Sequence, residues 1–316
     1  MANCHSLFKS FNGEGYLKIP GSKIDKLEAS SENVRKTIKE HFEKEYPRYP
    51  PKFYMQGSYK MGTTIRTKDD TCDLDDGVYF KSNPDNVTST TLQKWIKEAV
   101  DNITDSTPSH RKKCITIDFK AGYNIDLPAF LFDKDKESHP QLAVKDDGFY
   151  LDDPKEFYDY FNNNSSDQLV RIIRFLKAWC DFKREKMASG LAVTILALYN
   201  FQKHDRDDVS LKYTLIEIEN DLKLNFKCVM PTTPKDDIFK DYDTARQENF
   251  LNNLSAFITD AKSAVETEKN QLKASKLWKK HLGDRFPEGE DKDEDEVRSA
   301  CLSGIIGNQK PFCGFE

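Results

Sequence analysis

Asp73 and Asp75 are the two residues in this sequence best placed to do chemistry, and the stretch Gln56-Gly57-Ser58-Tyr59-Lys60-Met61-Gly62-Thr63 precedes them. The stretch from Cys72 to Phe80 reads as a strand. Residues two apart on a strand point to the same side, so Asp73 and Asp75 project together while Cys72 and Leu74 face a core. Carboxylates held that close repel unless a cation sits between them. Their hard oxygens suit Mg²⁺ or Mn²⁺, with substrate phosphates filling the remaining coordination positions. A calcium loop needs acids at alternate positions ahead of its glycine, and Asp73-Leu74-Asp75-Asp76-Gly77 breaks that spacing. Asp76-Gly77 reads as a bend in the strand.

The preceding loop is suited to an anion. Gly57 lets the backbone approach a phosphate closely, and Ser58 offers a hydroxyl and an amide. If Ser58 opens a short helix, the helix end adds positive potential. Gln56, Gly57 and Ser58 are therefore candidate nucleotide contacts, beside metal ligands Asp73 and Asp75. A third carboxylate from a neighbouring strand would complete a two-ion site, whose ions typically lie about 3.5–4 Å apart. Asp118 and Asp126 both lie on the polar side of their strands, and parity does not separate them.

The elements that must position these groups follow from periodicity. Residues 1 to 22 read as an irregular arm. Ile24, Leu27, Val34, Ile38 and Phe42 mark one face of a helix over 23–45, ended by Tyr46-Pro47 and Pro50-Pro51. Short strands are expected at Phe53–Met55, Ile115–Phe119 and Tyr123–Leu127, with a helix over 91–104. From residue 154 the pattern is helical. Leu169, Ile172, Ile173, Leu176 and Trp179 line one amphipathic helix, and 189–203 is a very apolar one. Further helices are expected near 210–222, 241–265 and 266–283. PEGEDKDEDEV, 287–297, reads as acidic and flexible.

The bulk composition narrows the partners. With 48 basic and 53 acidic residues the net charge is −5, whereas a duplex-DNA-gripping surface needs basic excess. Apolar runs are too short for a membrane span, and the N-terminus lacks a secretion signal. The seven cysteines are scattered without a C-x-x-C pair, which fits reduced thiols in a cytoplasmic protein rather than zinc or disulfides. The six histidines form no H-x-x-x-H pattern, so histidine-based metal catalysis is unsupported.

The G-S…D-x-D pattern resembles the polymerase-β-like nucleotidyltransferases. QGSYKMGT, DLDDGVYF, NIDLPAF, LVRIIRFLKAW, SGLAVTILA and LGDRFP together resemble the bacterial CD-NTases, relatives of animal cyclic GMP-AMP synthase, over most of the chain. The resemblance implies an α/β fold: a mixed-sheet nucleotidyltransferase lobe, a helical C-terminal lobe, and an N-terminal spine helix packed across both. The corresponding division is 1–160 for spine and catalytic lobe, 161–286 for the helical lobe, and 287–316 for a flexible tail.

It also implies Asp126 rather than Asp118 as the third acid, and phosphate-facing roles for Arg171, Arg174, Lys177 and Ser189; Ser189 is also a good helix N-cap. The implied activity joins triphosphates such as ATP and GTP into a cyclic di- or trinucleotide, using two Mg²⁺ or Mn²⁺ ions, in antiphage defence. Tyr59 and Tyr123 could stack on a base, but strand aromatics usually serve the core. CVMPTTP, 228–234, falls where the family places base-contacting lid residues. No Cys/His cluster could build the DNA-sensing insertion of animal relatives, so direct DNA activation is not expected. A monomer is expected, with accessory defence proteins as possible partners of the tail. Transfer to an RNA end or small acceptor, an inactive nucleotide-binding regulator, and a helical interaction protein are the competing readings.

Overall fold

The computed structural model describes residues 1–293. The chain runs through α1 (His5–Phe11), α2 (Gly21–Glu45), β1 (Lys52–Gln56), α3 (Gly57–Lys60), β2 (Cys72–Phe80), α4 (Ser89–Val100), β3 (Ser109–His110), β4 (Ile115–Phe119), β5 (Tyr123–Leu127), β6 (Ala129–Leu131), β7 (Gln141–Val144) and β8 (Gly148–Leu151). The helices α5 (Pro154–Asn164), α6 (Asp167–Lys183), α7 (Gly190–Asn200), α8 (Asp207–Leu224), α9 (Thr244–Lys262) and α10 (Gln271–Leu282) follow. This is the expected α/β architecture, a mixed sheet with helices plus a helical lobe. No described helix is long and apolar enough to cross a membrane.

The sheet has the order β3-β4-β5-β2-β6-β7-β8, with β1 also on β2. β2 is its axis. One edge pairs antiparallel with β1; the other pairs in parallel with β5 and then β6. Pro128 separates β5 from β6. It has no N–H to give, and its carbonyl accepts from the Val78 amide at 2.8 Å. β2 alternates as expected: Cys72, Leu74, Val78 and Phe80 enter the sheet-lobe core.

Asp76 falls on that inward parity, fully buried. It is not a bend. The strand continues through it, and its carboxylate takes two bonds from Arg35, at 2.6 and 2.7 Å, and one from Ser31 at 3.1 Å. Those donors lie on α2, so Asp76 fastens that helix to the sheet. The four buried apolar residues of α2, Leu27, Val34, Ile38 and Phe42, all belong to the sheet-lobe core. The buried apolar face of the expected spine helix lies in that core.

The N-terminal arm enters the other lobe. It contains α1, and Ala2, Cys4, Phe8, Phe11 and Leu17 are buried in the core of the helical lobe. Phe8 packs edge-on to Phe175, Trp278 and Phe286. Phe157 and Phe161 of α5 join the same core. Side chains of the 1–17 arm and of α5 thus enter the core of the helical lobe, while α5 also packs against α3 and β1 of the sheet lobe. The expected tail also begins differently. Residues 287–293 lie on α10: the amides of Gln271 and Leu272 donate to the carbonyls of Lys292 and Glu290, and the Gly289 amide donates to Ser275. The rest of that stretch lies outside the described residues.

Candidate active site

β1 runs antiparallel to β2 with Gln56 opposite Asp75, so the chain leaving β1 turns directly over the acids. Gly57 sits at that turn with φ +65°. A Cβ there would lie 1.9 Å from Asp75 Oδ2. Only glycine can both adopt the conformation and leave room for the carboxylate. α3 is a single turn, too short for much dipole, so an anion here would depend on local donors. Ser58 Oγ lies 2.8 Å from Thr64 Oγ1, which orients the hydroxyl.

The register between β2 and β5 brings the carboxylates together. Asp75 is the Cα partner of Asp126, and Asp73 of Asn124. On the far side of β5, Thr116 pairs with Asp126 and Asp118 with Asn124. Adjacent strands lie about 4.8 Å apart. Asp126 thus stands beside Asp75, whereas Asn124 separates Asp118 from Asp73. Parity left those two acids equivalent; register distinguishes them.

The Thr116 hydroxyl donates to Asp126 Oδ1, and Asn124 Nδ2 donates to Asp73 Oδ1 at 3.3 Å. Burial first, then the charges of Asp126 and Asp73, push the Asp75 carboxyl up to about 7. Burial and Asp126 raise Asp73 too. This is the signature of carboxylates crowded without a counter-ion, and the all-oxygen donor set fits Mg²⁺ or Mn²⁺.

A cavity of about 640 Å³ opens above the row, lined by Gly57, Ser58, Asp73, Asp75 and, from the helical lobe, Lys177 and Gly190. The lining stops at Asp73 and Asp75; Asp126 stands one strand behind. Lys177 is held by Thr63, its Nζ donating to the carbonyl at 3.2 Å and to Oγ1 at 3.0 Å. Burial lowers its pKa to about 8, against the opposing pull of Asp75.

The other predicted contacts separate. Gln56 reaches the cavity wall, but its Oε1 accepts from the Tyr79 hydroxyl at 3.3 Å. Arg171 grips Asp207 with bonds of 2.6 and 2.9 Å, away from the cleft. Arg174 donates to the Gly62 carbonyl and to Asn12. Neither arginine lines the cavity. Ser189 caps α7, its Oγ accepting from the Ala192 amide at 3.2 Å, beside the cavity residues Ala188 and Gly190. The Tyr59 hydroxyl donates to Glu28 at 2.7 Å, and Tyr123 is buried in the sheet core. Within 228–234, Met230 lines the cavity while the Thr233 amide donates to Glu156 at 2.9 Å.

Sequence reasoning missed Asp152, a cavity carboxylate that burial pushes up to about 6, and Thr63. Asp152-Asp153-Pro154 reads locally as a helix start, and Asp153 does cap α5 by accepting from the Glu156 amide. It also missed a cluster of His139, Asp153 and Glu156, with ligand atoms within 4.8 Å of one another. Their sequence spacing gives no sign of it. His139 Nδ1 lies 3.0 Å from Asp153, which satisfies that pair without an ion.

A family model described as cyclic GMP-AMP synthase DncV-like, nucleotidyltransferase domain, matches residues 51–130, the span from Gln56 through Asp126 included. A cyclic GMP-AMP synthase of Escherichia albertii is 26% identical over 210 residues, which is 61% of this chain and 45% of that protein. The match thus spans less than half of the relative's length. The fold is shared with Vibrio cholerae DncV cyclic AMP-GMP synthase, with TM-score 0.79, 17% identity, and coverage of 91% of this chain and 98% of that one. It is shared also with Escherichia coli DncV in its 3'-deoxy GTP bound form, with TM-score 0.73, 17% identity, and coverage of 88% and 97%. The matched domain holds the whole row of acids, and with the synthase relative and the common fold it makes this chain similar to the bacterial CD-NTases, cyclic GMP-AMP synthase-like members of the polymerase-β-like nucleotidyltransferases.

Proposed function

We propose that this protein is a metal-dependent nucleotidyltransferase that joins nucleoside triphosphates, purines foremost, into a cyclic di- or trinucleotide signal for antiphage defence. The observation that carries the reading is the row Asp73, Asp75 and Asp126 against the Gly57-Ser58 turn, with the Lys177 ammonium on the facing lobe. A relative of the same fold was crystallised with the linear intermediate pppA(3',5')pG, which supports stepwise joining.

Asp73, Asp75 and Asp126 would hold two divalent ions. Bound there, the ions would supply charge neutralisation for in-line attack of a ribose hydroxyl on an α-phosphate. The protein's own groups do the rest. Ser58 and its neighbouring amides bind the triphosphate. Lys177 faces the negative charge that grows toward the leaving pyrophosphate. Asp126, oriented by Thr116, takes part in deprotonating the acceptor hydroxyl. The cavity has the size of a small-molecule site, which suits nucleotides in succession.

The test is incubation with labelled ATP, GTP, CTP and UTP plus Mg²⁺ or Mn²⁺, then phosphatase, then mass spectrometry. A cyclic product survives phosphatase because it has no terminal phosphate. Phosphatase-sensitive products only, or none, would overturn the reading.

A further inference from the structure

The Gly57–Thr67 segment carries the proposed phosphate contacts, yet its only regular structure is the single turn of α3. Its rigidity has to come from elsewhere in the chain. Arg174 supplies much of it, donating to the Gly62 carbonyl from Nε at 3.0 Å and from Nη2 at 2.6 Å. Its Nη1 donates to the Asn12 side-chain oxygen at 3.0 Å. One turn further along α6, Lys177 takes the next residue, Thr63.

The Thr63 amide in turn donates to the Ser58 carbonyl at 2.9 Å, closing the loop onto the serine. The other end is anchored similarly. Arg285 Nη1 donates to the carbonyls of Arg66 at 2.8 Å, Thr67 at 3.0 Å and Tyr16 at 3.3 Å. The Arg66 amide donates to Leu17 at 2.8 Å. Residues 12–17 are therefore present at both ends of the loop. A planar guanidinium that spans two acceptors fixes direction as well as distance, which a point-charge ammonium does not.

We infer that Arg174, backed by Asn12, is a positioning residue: it sets where Ser58 presents its hydroxyl and amide, without touching the triphosphate. The inference deepens the proposed function and rests on that reading for its catalytic consequence. Arg174→Ala, Arg174→Lys and Asn12→Ala test it in the full chain. Hydrogen exchange of residues 57–67 in metal-free, ligand-free protein reads the loop alone; steady-state nucleotidyl transfer reads the consequence.

In Arg174→Ala, exchange at the Thr63 amide rises about tenfold, the equivalent of one good hydrogen bond. KM for the triphosphate rises by about the same factor, while kcat falls less. Asn12→Ala shifts both in the same direction by roughly two- to threefold. Arg174→Lys recovers part of the loss, since an ammonium reaches the Gly62 carbonyl but cannot span to Asn12. A raised KM with unchanged loop exchange would mean direct ligand contact and would overturn the inference. So would unchanged exchange in Asn12→Ala, which decides alone should Arg174→Ala not fold. If the wild-type protein transfers no nucleotide, the functional reading fails, and the exchange data still decide whether Arg174 holds the loop.

Discussion

Strand β2 and helix α6 each carry a series of like charges, and the fold treats the two series in opposite ways. On the strand, Asp73 and Asp75 stay together and gain Asp126 from the next strand. On the helix, Arg171, Arg174 and Lys177 are dispersed: one to Asp207, one to Gly62 and Asn12, one to the cleft. Short carboxylates on a pleated strand go where the backbone points them. Long cationic side chains go to whichever acceptors lie within reach, and a buried carboxylate such as Asp207 outcompetes solvent.

The comparison is broken most directly at the strand. Asp75→Asn removes a proposed ion ligand, and turnover should fall on the order of a thousandfold. The same variant should melt higher than wild type without metal. The folded-state pKa of Asp75, about 7, lies above that of an unfolded aspartate, so ionised Asp75 opposes folding. That penalty grows as pH rises past the ordinary carboxylate range and is complete above pH 7. The melting advantage should therefore be a few degrees at pH 8 and vanish near pH 4. Melts with chelator across that range check it; no advantage at pH 8 would show the carboxylates are not crowded.

Next comes the turn above the acids. Gly57→Ala places a Cβ against Asp75 Oδ2 at positive φ. Turnover should drop roughly a hundredfold through misplaced ligands, with kcat rather than stability carrying most of the change. Near-wild-type kcat would mean that Asp75 has freedom the structure does not show.

On the helix, Lys177→Met should cost about ten- to a hundredfold in kcat/KM. Lys177 loses its charge as pH rises through about 8, so wild-type kcat/KM should decline above that pH. The variant should lack this alkaline limb. If the limb persists, the charge that matters lies elsewhere.

The smallest effect on turnover is expected from Arg171→Ala. It leaves the fully buried Asp207 with Gln168 as a side-chain donor but without its cation, and should destabilise the lobe by about 3–5 kcal/mol. Folded enzyme should nonetheless keep its KM and kcat within roughly twofold. A large rise in KM without loss of stability would return Arg171 to the phosphate.

Much of this arrangement was legible in local sequence. The amphipathic period of 23–45 and of α6, the Ser189 cap, and the parity that aligns Asp73 with Asp75 all depend on neighbours a few residues away. Asp76 was misread because its adjacent glycine suggests a bend, while its partner Arg35 lies 41 residues away. α1 was missed since its seven residues are too few for a clear period. The destinations of Arg171 and Arg174 rest on Asp207, Gly62 and Asn12, none of them near α6 in the chain.

Covalent order and side-chain period were enough to establish the strand acids, the glycine-serine turn ahead of them and the helices that follow, because each is set within one or two turns of chain. Which acid stands beside the pair where strand parity left two open, which cation faces the cleft, and which core takes in the N-terminus were decided only by packing. Strand register, acceptor reach and core membership are relations between distant segments, and they have no value until those segments meet.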